Sequence, residues 1–361
     1  MIARTLKAAL FASTIFLAGV SASAQQKNAA TSEKFDLQFF GDTYIPVRVL
    51  SQTGSDRETS VFRDLQPMLE SSHTNIVNLE GSATTASIPM TEKRFVLQMP
   101  ESIAELLSSN NIHVASLANN HAMDLGWQGL FDTITAMHAA GVRTVGGGWR
   151  IAEAMAPVIL PVNEALVCIN AVSRTFPELF WATEERPGTA NPALAVLLAN
   201  IRAQRESSCL PIVVIHWGRE NERKAQPYQR RLARQFAAAG AIAVIGHHPH
   251  VLQEIETIDG MPVFYSLGNF VFGTRPVGTT QEGMSVRMRL RGNGPSGSTT
   301  VELVATPLQV DNSMVDFRPR PFAEDERHPL SKIQSKENRC AGFPEHRSSV
   351  CLKTEIGYRG K

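Results

Sequence analysis

Residues 241–250 read AIAVIGHHPH, so that an apolar run of five residues leads through a glycine into three histidines within four positions. A short apolar run bounded by glycine and proline is typical of a buried strand in an α/β protein. Loops that follow the carboxyl ends of such strands converge on one cleft. This stretch therefore predicts an α/β fold with its functional site at strand ends.

The same arrangement, an apolar run followed by a polar side chain, recurs earlier in the chain. Predicted strands over 35–40, 75–79, 113–117 and 211–215 lead to the following residues: Asp42, Glu80, Asn119-Asn120-His121 and His216. Helical spacing between them predicts helices over 58–71, with Pro67 as a kink or early stop, and over 127–140, 192–207 and 227–239. A turn over 267–270 and hairpin strands over 285–290 and 301–304 follow. Early βα units with later hairpins favour a mixed-sheet sandwich covered by helices.

Composition excludes several classes of protein. The 361 residues include 35 Lys and Arg against 34 Asp and Glu, and 43% are apolar. A nearly neutral chain lacks the basic clusters that usually mark a nucleic-acid partner, so we expect none. The apolar fraction is sufficient for a large core, which argues against a disordered chain.

The first 24 residues have the features of a cleaved secretory signal. Arg4 and Lys7 precede an apolar run over 8–20, and Ala22-Ser23-Ala24 supplies small residues for cleavage. The alternative is an uncleaved anchor. The predicted organisation is a signal peptide over 1–24, a linker over 25–34, one domain over 35–311 and a C-terminal tail or wrapping arm over 312–361. We expect the mature protein to be periplasmic or secreted.

An oxidising compartment favours disulfides over metal ligation for the four cysteines, whose spacing matches no zinc ribbon. Three pairings are possible. We favour Cys340 with Cys351, which bracket a short loop. Cys168 and Cys209 then form a second bridge or stay buried thiols, and the sequence leaves both open.

The polar residues at the strand ends form a metal donor set only when they are taken together. Each alone has a structural explanation: Asp42, Glu80 and Asn120 as turn or cap residues, and His216 as a buried, hydrogen-bonded histidine. Carboxylate, amide and imidazole groups together suit Mn, Fe or Zn better than Ca or Mg. A bridging carboxylate such as Glu80 would hold two divalent ions close together, and dinuclear centres activate water and clamp phosphoryl oxygens.

Six motifs in order resemble the CapA family of poly-gamma-glutamate capsule synthesis proteins. They are Gly41-Asp42, Asn78-Leu79-Glu80, N-N-H-A-x-D-x-G over 119–126, H-W-G-x-E over 216–220, G-H-H-P-H over 246–250 and S-L-G-N-F over 266–270. That family is similar in turn to calcineurin-like metallophosphatases, especially secreted 5'-nucleotidases. The resemblance implies an α/β/β/α sandwich with mixed sheets and a two-metal site at the carboxyl ends of its strands.

The resemblance also implies roles for individual residues. Asp42 and His250 would bind one metal, while Asn120, His216 and His248 would bind the other, with Glu80 as the bridge. His121 would be the general acid or transition-state stabiliser, and Asp124 would orient it. Two positions depart from the phosphatase pattern: Tyr44 stands where those enzymes have a histidine, and Glu80 where they have an aspartate. His247 is either a supporting residue or a packing one.

Two functions are compatible with these residues. The first is a metal-dependent hydrolase that acts on a phosphoester or an anionic envelope polymer during synthesis, export or trimming of poly-gamma-glutamate or a related polymer. The second is a non-catalytic assembly or polymer-binding subunit that retains the metal centre, within a membrane-bound synthase complex. The complete set of ligand candidates favours the hydrolase. Tyr44, which replaces a histidine of the phosphatase pattern, favours the non-catalytic subunit.

Overall fold

The structure, a computed structural model, describes residues 36–54, 56, 59–163, 165–274, 281–292, 299–323, 326–327 and 349–356. The predicted signal peptide and linker lie outside these ranges. The helices are α1 (Val47–Thr53), α2 (Gln66–Glu70), α3 (Ile103–Ser109), α4 (Gly126–Ala139), α5 (Ile151–Ala154), α6 (Leu194–Glu206), α7 (Pro227–Ala239) and α8 (Asn312–Val315).

The strands are, in chain order, β1 (Asp36–Tyr44), β2 (Thr74–Leu79), β3 (Ser82–Ala83), β4 (Gln98–Met99), β5 (Ile112–Ser116), β6 (Arg143–Val145), β7 (Gly147–Gly148), β8 (Val158–Val162), β9 (Ala165–Ser173), β10 (Gly188–Thr189), β11 (Cys209–His216), β12 (Ala243–His247), β13 (Ile255–Ile258), β14 (Met261–Phe264), β15 (Asn269–Phe272), β16 (Glu282–Gly292), β17 (Thr299–Gln309), β18 (Arg320–Pro321) and β19 (Val350–Ile356).

Two mixed sheets contain most of these strands. The first has the order β18-β17-β16-β1-β2-β5-β6, with β15 paired to β1 and β19 paired to β17. The second has the order β13-β14-β12-β11-β9-β8. Strands β1, β2, β5 and β6 run parallel in the first sheet, and β9, β11, β12 and β14 run parallel in the second. The parallel strands therefore bring their carboxyl ends to one edge of each sheet.

Alternating side chains make each sheet apolar on both faces. In β11, Ile212 and Val214 pack into the cluster between the sheets, whereas Val213 and Ile215 pack with α6 and α7 on the outer face. In the first sheet Phe39 points between the sheets, and its neighbour Phe40 joins the outer cluster with α3 and α4. The layers are thus α/β/β/α, which confirms the predicted fold class.

Two predicted local structures are wrong. The segment over 58–71 is not one helix, because its described part consists of turns, a 3₁₀ turn over Arg63–Leu65 and the short α2. Pro67 lies in the first turn of α2, where its missing N–H costs nothing, so it begins a helix instead of ending one. The predicted turn over 267–270 ends in strand, because Asn269 is the first residue of β15 and pairs with Asp42.

The predicted tail contributes strands to the first sheet. Residues 350–356 form β19, which runs antiparallel to β17 from Ala305 back to Thr299. The described part of the tail therefore wraps onto the domain as an arm, and the domain boundaries stay predictions.

One disulfide lies within the described residues. Cys168 of β9 and Cys209 of β11 are bonded, with a Cα–Cα distance of 5.9 Å. The favoured pairing of Cys340 with Cys351 stays a prediction, because Cys340 is outside the described ranges. None of the helices described here has both the length and the apolar composition needed to cross a bilayer.

Candidate metal centre

Every metal-ligand candidate lies at or just beyond the carboxyl end of a strand. Asp42 is near the end of β1, Glu80 follows β2, Asn120 follows β5, His216 ends β11, and His248 and His250 follow β12. The first three belong to one sheet and the last three to the other. The two sheets therefore face each other with complementary halves of one site.

Five of these six residues fall into two overlapping donor groups. Asp42, Glu80 and His250 form one group, and Glu80, His216 and His248 form the other, each with ligand atoms within 4.8 Å of one another. Glu80 is common to both. This is the arrangement expected of a carboxylate that bridges two cations.

Glu80 is a fully buried carboxylate. Neither of its oxygens has a hydrogen-bond partner within the described part of the chain. Its Oε1 lies 3.7 Å from Nε2 of His216 and 3.7 Å from Nε2 of His250. Burial raises the pKa of Glu80 well above its usual range, against the attraction of His250. A buried, unbonded carboxylate ringed by imidazoles fits a metal ligand, since buried charges are normally paired or coordinate metals.

Asp42 receives hydrogen bonds from both sheets. Its Oδ1 accepts from Nδ2 of Asn78 at 2.8 Å, and its Oδ2 accepts from the backbone N–H of His248 at 3.2 Å. Nδ1 of His250 lies 3.2 Å from the same Oδ2. Burial acts to raise the pKa of Asp42, but His247, His250 and Asn78 together lower it below the usual value. Asp42 is therefore held as an anion.

His216 and Asn120 meet across the sheets. Nε2 of His216 lies 2.8 Å from Oδ1 of Asn120, and its Nδ1 lies 3.2 Å from Nδ2 of Asn78. Burial, followed by the neighbouring His248, lowers the pKa of His216 well below its usual value. Burial likewise lowers the pKa of His248 to about 3. Both imidazoles stay neutral, which is the form that binds metals.

The GHHPH loop needs unusual backbone geometry to present its imidazoles. His248 has φ 99° and His250 has φ 57°. Residues other than glycine rarely adopt these positive φ values. Gly246 is required by close packing, because a Cβ there would lie 2.1 Å from the carbonyl oxygen of Tyr265. Strained backbone of this kind is concentrated at functional sites.

His121 lies beside the donor groups and is paired with Asp124. Its Nδ1 lies 2.6 Å from Oδ2 of Asp124, and its Nε2 lies 4.0 Å from Oε1 of Glu80. Burial lowers the pKa of His121, and the hydrogen bond to Asp124 opposes this effect. Asp124 thus contacts one nitrogen of the imidazole, while the other nitrogen, Nε2, faces the donor groups.

Sequence reasoning assigned no role to two residues at this site. Asn78 links Asp42 to His216, and it stands on the same strand face as Glu80, two residues later, within a motif that was already identified. Lys93 contacts His121 and Asp124 from an irregular segment that has no sequence signal.

Contacts are also defined for three residues near the donor groups. Trp217 is fully buried, and its Nε1 donates to the carbonyl oxygen of Tyr265, so it packs in the core. His247 is buried 3.5 Å from Oδ1 of Asp42. The Tyr44 ring packs 5.6 Å from that of Phe272.

Known proteins are similar to this chain over the region that contains the donor groups. Positions 36–274 match the family described as bacterial capsule synthesis protein PGA_cap. The chain belongs to this family. It is 30% identical over 283 residues to the PGA biosynthesis protein CapA of Bacillus subtilis, covering 77% of this chain and 70% of the relative. It is 31% identical over 289 residues to the capsule biosynthesis protein CapA of Bacillus anthracis, covering 77% and 68%. A probable polyglutamine synthesis accessory protein of Mycobacterium tuberculosis is 28% identical over 287 residues, covering 74% and 75%.

Solved structures of nucleotidases are similar at lower levels. The NAD nucleotidase of Haemophilus influenzae matches with a TM-score of 0.43 and 12% identity. The match covers 72% of this chain and 54% of that structure. A 5'-nucleotidase precursor of Thermus thermophilus matches with a TM-score of 0.38 and 12% identity, covering 76% and 51%. The chain thus spans about half the length of these structures.

Proposed function

We propose that this chain is a metal-dependent hydrolase that acts outside the cytoplasm in the synthesis, export or processing of poly-gamma-glutamate or a related envelope polymer. One observation carries the proposal: two donor groups share the carboxylate of Glu80, which has no hydrogen-bond partner among the described residues, and Nε2 of His121 lies 4.0 Å from it. A purely structural metal site needs no such imidazole beside it.

The residues present fit divalent transition metals. Asp42 and His250 would hold one ion, Asn120, His216 and His248 the other, and Glu80 both. Bound there, the ions would supply Lewis-acid chemistry, which polarises the scissile bond and lowers the pKa of water. His121 would take up a proton at Nε2 and pass it to the leaving group, and Asp124 would accept the N–H of the opposite nitrogen.

The proposed substrate is an anionic envelope polymer or a phosphoester. Relatives in this family have names that refer to PGA biosynthesis, capsule biosynthesis and polyglutamine synthesis. We also propose a membrane-bound synthase complex as partner. The predicted signal peptide supports a periplasmic or secreted location. Intact-mass measurement of envelope-extracted protein tests it, since retention of residues 1–24 would contradict cleavage.

An accessory, non-catalytic role is the second candidate. Tyr44 favours it, because an aromatic ring stands where the resembling phosphatases have a ligand and packs on Phe272 instead. One relative in the family also has a name that includes the words accessory protein.

Turnover separates the two candidates. The purified mature protein is assayed with Mn, Fe or Zn on phosphomonoesters, phosphodiesters and gamma-glutamyl peptides. General acid catalysis contributes about 10²- to 10⁴-fold, so His121→Ala should lower kcat by that order while bound metal stays constant. His138→Ala is the matched control, because His138 is exposed on α4 and contacts Thr144. Absence of wild-type turnover on the whole panel would favour the accessory role, and metal loss in His121→Ala would make His121 a ligand.

A further inference from the structure

A lysine from outside the strand ends reaches the His121–Asp124 pair. Lys93 lies in the irregular segment between β3 and β4, and its ammonium is mostly buried. Its Nζ lies 2.5 Å from Oδ1 of Asp124, 2.6 Å from the carbonyl oxygen of Asn120 and 3.1 Å from Nδ1 of His121. One cation therefore contacts three neighbouring groups of the site.

Only two of these contacts are compatible hydrogen bonds. An ammonium group has donors and no acceptor, so a bond to Nδ1 of His121 requires a lone pair on that nitrogen. The same Nδ1 lies 2.6 Å from Oδ2 of Asp124, a carboxylate that can only accept. The shorter contact with the charged acceptor is the stronger one, so Nδ1 carries the proton and donates it to Asp124. Lys93 then donates to Asp124 and to the Asn120 carbonyl.

Asp124 is held from several sides by the segment that contains Lys93. The backbone N–H of Leu97 donates to Oδ2 at 2.8 Å, and that of Met90 donates to the Asp124 carbonyl at 2.8 Å. Lys93 binds the other carboxylate oxygen. The ammonium is itself fixed over the ring of Phe180, 5.1 Å from its centroid. These contacts leave the carboxylate one orientation, in which Oδ2 faces His121.

We propose that Lys93 is a positioning residue for His121. By holding Oδ1 of Asp124, Lys93 aims Oδ2 at Nδ1 of His121, selects the Nδ1–H tautomer and thereby directs Nε2 toward Glu80. The tautomer of His121 can be measured whether or not the protein turns over a substrate. The expected effect on kcat rests on the proposed hydrolase function.

Nuclear magnetic resonance of the full mature chain reads the tautomer directly. Imidazole ¹⁵N signals of His121, identified by their loss in His121→Ala, should show one Nδ1–H tautomer in the wild type. Lys93→Met keeps the length of the side chain without its charge, and it should produce a mixture of tautomers. Arg94→Met is the matched control, because Arg94 is exposed and lies over the ring of Phe95. An unchanged His121 tautomer in Lys93→Met would overturn the proposal, whatever happens to activity.

Kinetics supply a second readout where the wild type turns over a substrate. Partners that orient groups around a metal site typically contribute about 10- to 100-fold, so Lys93→Met should lower kcat by that factor with KM and metal content nearly unchanged. Lys93→Arg keeps the charge and the donors, so it should recover the Nδ1–H tautomer. This variant tests the proposal even if Lys93→Met fails to fold. A raised KM with unchanged kcat would instead make Lys93 a substrate-binding residue. A wild type without turnover would contradict the hydrolase function alone, since the tautomer still tests Lys93.

Discussion

Replacing Glu80 by glutamine should have opposite effects on stability with and without metal. Glu80 is fully buried, and its oxygens have no hydrogen-bond partner among the described residues. A buried polar group left unsatisfied costs about 1–3 kcal/mol, and more when it is charged. The attraction of His250, 3.7 Å away, opposes this cost, but burial outweighs it because the pKa of Glu80 is raised well above its usual value. In chelator at neutral pH, Glu80→Gln should therefore stabilise the protein.

The size of the effect follows from these terms. The glutamine amide is equally buried, so the gain is only the excess cost of the charge, about 1 kcal/mol, which should raise Tm by about 2–4 °C. Metal at 100 times its Kd stabilises the folded wild type by about 2.7 kcal/mol per site. Glu80→Gln removes the carboxylate shared by both donor groups, so bound metal should stabilise this variant much less. The wild type should thus be the less stable protein in chelator and the more stable one with metal.

Thermal and urea unfolding in chelator and in excess Mn or Zn measure this reversal. The control is Asp36→Asn, because Asp36 is also a buried carboxylate but is bonded through both oxygens to Arg289, at 2.6 and 2.5 Å. It should lower stability in both conditions, since it breaks a buried ion pair. If Glu80→Gln were less stable than the wild type in chelator, Glu80 would be a structural residue and the metal interpretation of its unbonded oxygens would be refuted.

Two further predictions concern the site and the fold. His216→Ala should sharply reduce bound transition metal, measured by elemental analysis, whereas His138→Ala should not; equal metal content in the two variants would remove the proposed centre. Replacing Cys168 and Cys209 together by alanine opens a disulfide with a sequence separation of 41, which corresponds to about 4 kcal/mol of unfolding free energy in the chain-entropy model. Urea unfolding of the double variant measures it, and unchanged stability would contradict the bridge.

The site was more predictable than several local structures. The rule that parallel strands gather their carboxyl ends places Asp42, Glu80 and His216 together from short sequence patterns alone. Helical spacing of Phe62, Leu65 and Leu69 predicted one helix, and all three are indeed buried, but in turns and the short α2. The apolar pattern thus identified core residues without determining their backbone, because packing overrides weak local preference.

Contacts between distant segments could not be predicted from local patterns. The pairing of Cys168 with Cys209 depends on the parallel register of β9 and β11, in which Cys168 stands opposite Pro211. The sequence left Cys168 and Cys209 as either a second bridge or buried thiols, because loop lengths carry no information on register. Lys93 reaches Asp124, 31 positions away, from a segment with neither helix nor strand around it. No periodic pattern in the sequence indicates the disulfide or the contact of Lys93 with Asp124.

Tyr44 lies beside one of the two donor groups, which are unequal. Its ring packs on Phe272, whose own ring lies 4.7 Å from that of His250, so an aromatic wall stands beside the Asp42 group. That group retains three donors, whereas the group around His216 gains the Asn120 amide as a fourth. Structural metal sites are closed, and catalytic ones keep three protein ligands and an open position. The Asp42 group therefore has three protein donors, the number that catalytic zinc sites keep.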